Sequence, residues 1–384
     1  MKELSKTRSR LPHSGIRQLM ELSAAIPDAI HLEVGEPNAN TPLHIREAAT
    51  AAMNEGFTGY TSVYGFPSLR DALCEHLARR YGLTITSEQV LVTTGAVTAL
   101  TACLQAIADA DEEILIPDPG WPAYEMMALA QGSAARRYHL RMENGFAPDL
   151  EELERLVTPK TKAIFINTPG NPTGAVLTRE QIMELLAFAV KHDLYVISDE
   201  VYDGIVFDGT HISPKAFDTD GRVISIFGAS KNYAMTGWRI GYAVANPEIT
   251  ALMGKVLLPL ISCASSISQK AAEASIRGPQ DFVEEMRESY KQRRDKAYDL
   301  FTQANVKAFK PDGAFYMLVD MSELDRTADE LALDLLKEEK VAVAPGTTFG
   351  ELTSKMVRIS LATEESQLLE GVRRICDFIA RHKR

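Results

Sequence analysis

The chain has 384 residues, of which 45% are hydrophobic and 24% charged, and its formal net charge at pH 7 is -11. A chain of this length can bury a large core and is expected to form two domains. The acidic balance, without concentrated Lys and Arg, argues against a nucleic-acid-binding surface. Four widely separated cysteines fit a reducing cytoplasm. Because no apolar run reaches the ~20 residues of a membrane helix and the N-terminus lacks an apolar signal core, we predict no membrane association and a cytoplasmic location.

Alternating strand and helix patterns fill the middle of the chain. Apolar runs predict strands over residues 90–93, 113–117, 163–167, 195–198, 223–227 and 240–245. Helical periodicity between several of them predicts helices such as 96–108 and 179–191. This alternation is typical of a mostly parallel sheet wrapped by helices. Polar residues follow several predicted strands, at the carboxyl ends where open α/β sheets bind ligands.

The composition of the chain changes near residue 281. A charged helix over 282–301, short strands and an amphipathic helix over 364–381 predict a smaller α+β domain. We therefore assign residues 43–280 to a large domain, and residues 1–42 and 281–384 to an N-terminal arm and a small domain.

The first candidate binding segment in chain order is Thr93-Thr94-Gly95-Ala96-Val97, where a glycine links a strand to an apolar helix. The free N–H groups at the start of such a helix can face an anion. The same glycine can serve only to turn the corner between strand and helix.

Two further segments follow the next strands. Trp121 lies among turn residues, where it can stack on a planar ring, although tryptophan is more often part of a core. The loop over 167–174 contains Asn167 and Asn171 among prolines, and such residues can simply shape turns.

Asp199 and Lys231 each lie at or just after the end of a predicted strand. A carboxylate there can pair with a protonated ring nitrogen, or it can cap the next helix. A lysine condenses with an aldehyde when burial or a nearby cation, here Arg239, lowers its pKa. A surface ion pair is the alternative for Lys231.

One arginine, Arg358, lies inside an apolar strand pattern of the second domain. A buried guanidinium requires a fixed anionic partner. That partner is either a bound carboxylate or an internal salt bridge.

Together these segments resemble the class I/II aminotransferase family of fold type I, which is aspartate aminotransferase-like and uses pyridoxal 5'-phosphate (PLP). Two motifs carry the resemblance: Ser-Lys-Asn-Tyr-Ala-Met-Thr-Gly-Trp-Arg over 230–239, and the pattern N-x-P-x-N-P-T-G over 167–174. The resemblance covers most of the chain. It implies an α/β fold with a large domain, built on a mostly parallel seven-stranded sheet flanked by helices, plus a smaller α+β domain.

The resemblance also implies a role for each matching residue. Lys231 would form a Schiff base with PLP and act as the base at the substrate Cα, and Asp199 would keep the ring nitrogen protonated. The residues implied to hold the cofactor are Gly95, Ala96, Val97, Trp121, Asn171, Asp199, Tyr202, Ser230, Lys231, Arg239 and, across a dimer interface, Tyr60. Those implied to bind substrate are Gly35, Trp121, Asn171 and Arg358, whereas Lys231, Asp199 and Tyr202 would be catalytic. No metal site is implied.

Two of these matches need comment. Many relatives have a phosphate-binding serine where this chain has Gly228, so one phosphate hydrogen bond is expected to be missing or replaced by water. Tyr60 and Tyr64 can equally be two exposed loop tyrosines without a role in the site.

The sequence therefore predicts a PLP-dependent aminotransferase that moves the amino group of an L-amino acid to a 2-oxo acid, and a homodimer with shared active sites. A PLP-dependent β-lyase, or another enzyme acting at Cα, needs the same cofactor residues and stays open. A PLP-sensing transcription regulator is disfavoured, because the resemblance begins near residue 30 and leaves too few residues before it for a DNA-binding domain.

The charge of the amino donor's side chain is predicted from the absence, in the sequence, of the cations that would bind a second carboxylate. Family members specific for dicarboxylates use an arginine of the partner chain or a lysine in the phosphate loop, but Val97 stands at that lysine position and residues 257–266 offer no cation. An unpaired carboxylate in an apolar pocket costs several kcal/mol, against ~0.8 kcal/mol gained per buried methylene. We expect a neutral or apolar L-amino acid. Arg17 is the cation that would overturn this expectation.

Overall fold

The computed structural model describes residues 2–5, 9, 11–12 and 15–383. The side chains of residues 16–18 lie outside that description, and so does the expectation about Arg17. The helices are α1 (Gly15–Ala24), α2 (Leu43–Asn54), α3 (Pro67–Tyr81), α4 (Ala96–Ile107), α5 (Ala123–Gln131), α6 (Leu150–Leu156), α7 (Arg179–Lys191), α8 (Ala229–Asn232), α9 (Pro247–Ile261), α10 (Ser266–Arg277), α11 (Asp281–Gln303), α12 (Ala328–Glu339) and α13 (Glu365–His382). The strands are β1 (Ile30–His31), β2 (Val90–Thr93), β3 (Glu113–Asp118), β4 (Ala134–His139), β5 (Thr161–Asn167), β6 (Tyr195–Asp199), β7 (Val223–Gly228), β8 (Gly241–Val244), β9 (Tyr316–Asp320), β10 (Val341–Ala342), β11 (Ala344–Pro345) and β12 (Met356–Ser360).

Seven strands form the central sheet, in the order β2-β8-β7-β6-β5-β3-β4. Neighbouring strands are parallel except for β8, which runs antiparallel to both β2 and β7. The predicted α/β fold, with a mostly parallel seven-stranded sheet, is therefore confirmed. All six predicted central strands are present within two residues at each end. The prediction lacks β4, an edge strand with two arginines in which only Tyr138 is fully buried.

Helices cover both faces of this sheet, and the strand residues alternate between the two layers. In β5, Phe165 packs in the same core cluster as residues of α4 and α9, whereas Ile164 and Ile166 pack with residues of α7. Burial on both faces explains why these strands are continuous apolar runs. Because both faces are buried, the polar residues of these strands lie mainly at the strand ends.

A second group of elements has its own core. Strands β9, β11 and β12 form an antiparallel sheet, and β1 pairs with β10 in parallel. Phe301 of α11, Ile359 of β12 and Phe378 of α13 are fully buried in one cluster. The boundaries predicted near residues 42 and 280 stay a prediction. Within the described residues, no helix is both long enough and apolar enough to span a membrane.

Candidate active site

A cavity of about 250 Å³ opens at the carboxyl ends of the central strands. It lies beside the ends of β5, β6 and β7, and the start of α4 and strands β9 and β12 complete its wall. All of the predicted site residues line it except Gly95 and Tyr60. The predicted residues that the structure brings together here are Gly35, Ala96, Val97, Trp121, Asn171, Asp199, Tyr202, Ser230, Lys231, Arg239 and Arg358.

Lys231 follows β7 and belongs to the short helix α8. Its Nζ donates a hydrogen bond to the carbonyl of Gly35 at 2.6 Å. The pKa of Lys231 is lowered from 10.5 to about 8, mainly by burial and also by Arg358 and Arg239, whereas Glu36 and Asp199 act in the opposite direction. About a tenth of the amine is thus uncharged at pH 7. A lysine in this state can condense with an aldehyde.

An anion cradle lies at the start of α4. Gly95 has φ +82°, a conformation that favours glycine, and it turns the chain so that Ala96 opens the helix. A Cβ at Gly95 would lie 2.5 Å from Nη2 of Arg239, whose Nη1 donates to the carbonyl of Thr236 at 2.8 Å. The first N–H groups of a helix have no partner within it, so helix start and guanidinium together suit a phosphate.

Gly228, the position at which the resemblance implies a serine in many relatives, has room for that side chain. Its backbone is extended, with φ -160°, and a Cβ there would have no neighbour closer than 3.8 Å. The surrounding residues therefore leave space for a serine side chain at this position.

Asp199 lies at the end of β6, only 4% exposed. Burial raises the pKa of its carboxyl from 3.8 to about 6, although a hydrogen bond from Tyr124 Oη to Oδ2 at 2.7 Å acts in the opposite direction. A positively charged ring nitrogen beside this carboxylate would compensate for its burial. Tyr124 is a residue that the sequence analysis misses, because a tyrosine on the first turn of an apolar helix looks like an ordinary core residue. Trp121 lies edge-on to it, with ring centroids 5.5 Å apart.

Arg358 is 2% exposed and has no carboxylate within ion-pair distance in the described part of the chain. Its Nη1 donates to Asn171 Oδ1 at 2.9 Å, its Nη2 donates to the carbonyl of Glu33 at 2.6 Å, and its buried Nε has no partner. The guanidinium lies 4.1 Å from the ring centroid of Tyr316. The internal salt bridge is thus excluded among the described residues. A buried guanidinium held only by neutral groups suits a bound carboxylate.

Two tyrosines close the same side of the cavity. The hydroxyl groups of Tyr202 and Tyr316 lie 3.0 Å apart, and both side chains are buried. A Cβ on Gly35 would lie 2.5 Å from the Tyr316 hydroxyl, so the segment around Gly35 passes this wall closely. Tyr316 is not among the site residues predicted from the sequence.

Tyr60 lies away from the cavity of its own chain, on the loop between α2 and α3, and is 90% exposed. The N–H of the next residue, Thr61, lies 3.4 Å from Cys263 Sγ. The loop is therefore held in place while the tyrosine side chain projects outward.

The site as a whole combines an amine with a lowered pKa, an anion cradle, a buried carboxylate and an unpaired guanidinium around one cavity. This set fits a class of enzyme that binds an aldehyde cofactor carrying a phosphate, together with a substrate carboxylate.

Comparison with known proteins identifies the family. The sequence profile of the aminotransferases of class I and II matches residues 27–375. The aspartate/prephenate aminotransferase of Thermus thermophilus is 38% identical over 366 residues, covering 94% of each chain. The aromatic-amino-acid aminotransferase 2 of Thermococcus litoralis is 36% identical over 368 residues, again covering 94% of each. A solved structure of the Thermus thermophilus aspartate aminotransferase with maleate superimposes with a TM-score of 0.94 at 37% identity, covering 98% of this chain and 100% of that one.

The chain belongs to the class I and II aminotransferase family. Members of this family use PLP and transfer an amino group between an amino acid and a 2-oxo acid. The predictions of the family, the fold and the PLP-dependent aminotransferase activity are confirmed.

Proposed function

We propose that this aminotransferase binds PLP through Lys231 and takes its amino group from a neutral or apolar L-amino acid. One observation carries the cofactor assignment: the amine of Lys231, whose pKa is lowered, lies in the same cavity as two other groups that suit PLP. These are the proposed phosphate cradle at Ala96 and Arg239 and the buried carboxylate of Asp199. When bound, the cofactor supplies an electron sink for the charge that develops at the substrate Cα.

The side chains around the cavity divide the remaining work. The Nζ of Lys231 would take the proton from the substrate Cα and deliver it to the aldehyde-derived carbon of the cofactor, which completes the transfer of the amino group. The carboxylate of Asp199 would keep the ring nitrogen protonated, and Asn171 and Tyr202 would donate hydrogen bonds to the phenolic oxygen of the ring. Arg358 pairs with the α-carboxylate of the substrate.

Replacement of Lys231 by Ala tests this assignment. The variant should lose both the borohydride-fixed attachment of PLP and at least about 100-fold in amino transfer, since the general base is gone. Lys160→Ala, at an exposed turn, is the matched control and should keep both. Near-parental transfer by the Lys231 variant would refute the assignment. Formation of one amino acid per 2-oxo acid consumed, without release of ammonia, separates transfer from lyase chemistry.

The charges in the cavity support a neutral donor. Its three described cations, Lys231, Arg239 and Arg358, have the roles given above, and Glu33 adds a carboxylate to the wall. Val97 stands 41% exposed at the phosphate loop and provides no charge. The relatives named above include an aspartate and an aromatic enzyme, so family membership leaves the donor open.

A donor profile tests this part. We expect kcat/KM to be higher for at least one neutral or apolar amino acid than for aspartate or glutamate. The reverse order would refute the argument from the pocket. An Arg17→Ala variant would then show whether that residue supplies the missing cation.

We also propose a homodimer with shared sites and a cytoplasmic location. Tyr60 and two exposed leucines of α9, Leu258 and Leu260, are apolar surface that a second copy would cover. By the resemblance, we expect Tyr60 to reach the phosphate of the other chain's cofactor. All four cysteines are free, which fits a reducing compartment.

A further inference from the structure

Two cavities lie on either side of the segments that carry Tyr202 and Lys231. Tyr202 and Lys231 line the large one, whereas their next neighbours, Asp203 and Asn232, line a second, smaller cavity of about 20 Å³. Asp203 is 5% exposed and Asn232 is 7% exposed. The proposed chemistry uses neither of these buried polar side chains.

Asp203 joins three segments through its two carboxylate oxygens. Its Oδ1 accepts a hydrogen bond from Nδ2 of Asn232 at 2.6 Å, and its Oδ2 accepts one from the hydroxyl of Tyr81, the last residue of α3. The Nε of Arg80 donates to the same hydroxyl at 2.8 Å. A buried carboxylate is stable only with such partners, so its position and direction are fixed.

The segment that carries Tyr202 and Asp203 packs tightly against the segment that carries Lys231 and Asn232. A Cβ on Gly204, next to Asp203, would lie 2.6 Å from Oδ1 of Asn232. The helix α8, which carries Lys231, has only four residues. A single turn does not hold itself together, so its position depends on contacts with the rest of the protein.

We propose that Asp203 is a positioning residue, which acts through Asn232 to hold Lys231 at a fixed place relative to Tyr202. It contacts neither substrate nor cofactor. The hydrogen bond between Asp203 and Asn232 lies outside the active-site cavity, yet its loss can affect the rate if it allows Lys231 to move. Displacement of a reacting group by about 1 Å can lower a rate by up to about 100-fold. The inference rests on the role proposed for Lys231.

Three variants test the hydrogen bond. Asn232→Ala removes the donor with the smaller risk to folding, and Asp203→Asn removes the charge. The double variant Asp203→Asn with Asn232→Asp exchanges the two groups and can restore one amide-to-carboxylate hydrogen bond in the reversed direction. Asp218→Ala is the control, because Asp218 is a buried carboxylate that pairs with Lys215 at the opposite end of β7 from Lys231.

Two measurements separate positioning from simple loss of stability. The first is kcat and KM of the PLP-loaded enzyme: Asn232→Ala should lower kcat by about tenfold or more and leave the KM for the donor within about twofold. The second uses the PLP-free protein and follows the labelling of Lys231 by an amine-reactive reagent against pH, read by peptide mass spectrometry. The apparent pKa should rise above the parental value of about 8 when α8 moves and water reaches the amine.

The exchanged double variant should recover most of the lost kcat and the parental labelling profile, and Asp218→Ala should change neither. The proposal is overturned if Asn232→Ala keeps kcat and labelling unchanged, or if the exchanged variant folds with the parental Tm and recovers nothing. The labelling experiment contains no cofactor. It therefore still decides the role of Asp203 if the assignment of PLP to Lys231 fails.

Discussion

Replacing Asp199 by Asn should stabilise the PLP-free enzyme at neutral pH and weaken its binding of PLP. The carboxyl is 4% exposed and burial raises its pKa from 3.8 to about 6. A rise of about 2 units corresponds to about 3 kcal/mol of differential stability. The amide carries no charge and avoids this cost.

The sign follows from proton binding. Between pH 3.8 and about 6 the folded chain binds more protons at Asp199 than the unfolded chain does, so the free energy of unfolding falls as the pH rises. The full cost is present above about pH 6. The Asn variant lacks this contribution, and the difference between the two proteins should therefore increase with pH.

Urea unfolding of the PLP-free proteins at one protein concentration measures the effect. We expect the Asn variant to be more stable by about 1 kcal/mol at pH 4.5 and about 3 kcal/mol at pH 7.5. Asp193→Asn, at a fully exposed side chain, is the control and should change stability by less than about 0.5 kcal/mol. A spectroscopic titration should show weaker PLP binding, because a neutral amide does not balance a protonated ring nitrogen. An Asn variant that is no more stable at pH 7.5, or a difference that does not grow with pH, would refute the reasoning.

Three further predictions concern the phosphate, the donor and the dimer. Gly228→Ser should bind PLP about tenfold more tightly, since the site has room for a hydroxyl that donates to a charged phosphate; equal PLP dissociation constants would contradict this. Val97→Lys should raise kcat/KM for aspartate relative to that for a neutral donor by about two- to fivefold, as one partly exposed ion pair allows; an unchanged ratio would mean that the donor side chain does not lie near residue 97. Mixing a Tyr60→Ala chain with a Lys231→Ala chain should restore part of the activity, because heterodimers contain one undamaged site; sedimentation showing an active monomer would exclude shared sites.

Much of the fold, and the cavity residues that follow the central strands, can be predicted from the sequence for one reason. In parallel strands buried on both faces, apolar runs are continuous and the polar residues collect at the carboxyl ends, so Asp199 and Lys231 are recognisable before any coordinates. The edge strand β4 lacks that signal because it is covered incompletely.

The unpredicted parts depend on contacts between distant segments. Tyr124 has the sequence context of a core residue, and only the approach of α5 to β6 gives it Asp199 as a partner. For Arg358, the sequence leaves a salt bridge and a bound carboxylate equally open. The three-dimensional contacts exclude the salt bridge among the described residues, because the partners of Arg358 there are an amide and a carbonyl.

The reversed direction of β8 determines how Lys231 and Arg239, the two proposed cofactor anchors, are connected. Because β8 is antiparallel to β7, the chain returns into the sheet from the same edge at which it left, and residues 229–240 remain beside the cavity. A parallel β8 would need a crossover that carries the chain to the opposite edge. Lys231 and Arg239 instead lie on one short continuous segment, so a single shift of that segment would move the proposed covalent anchor and the proposed phosphate clamp together.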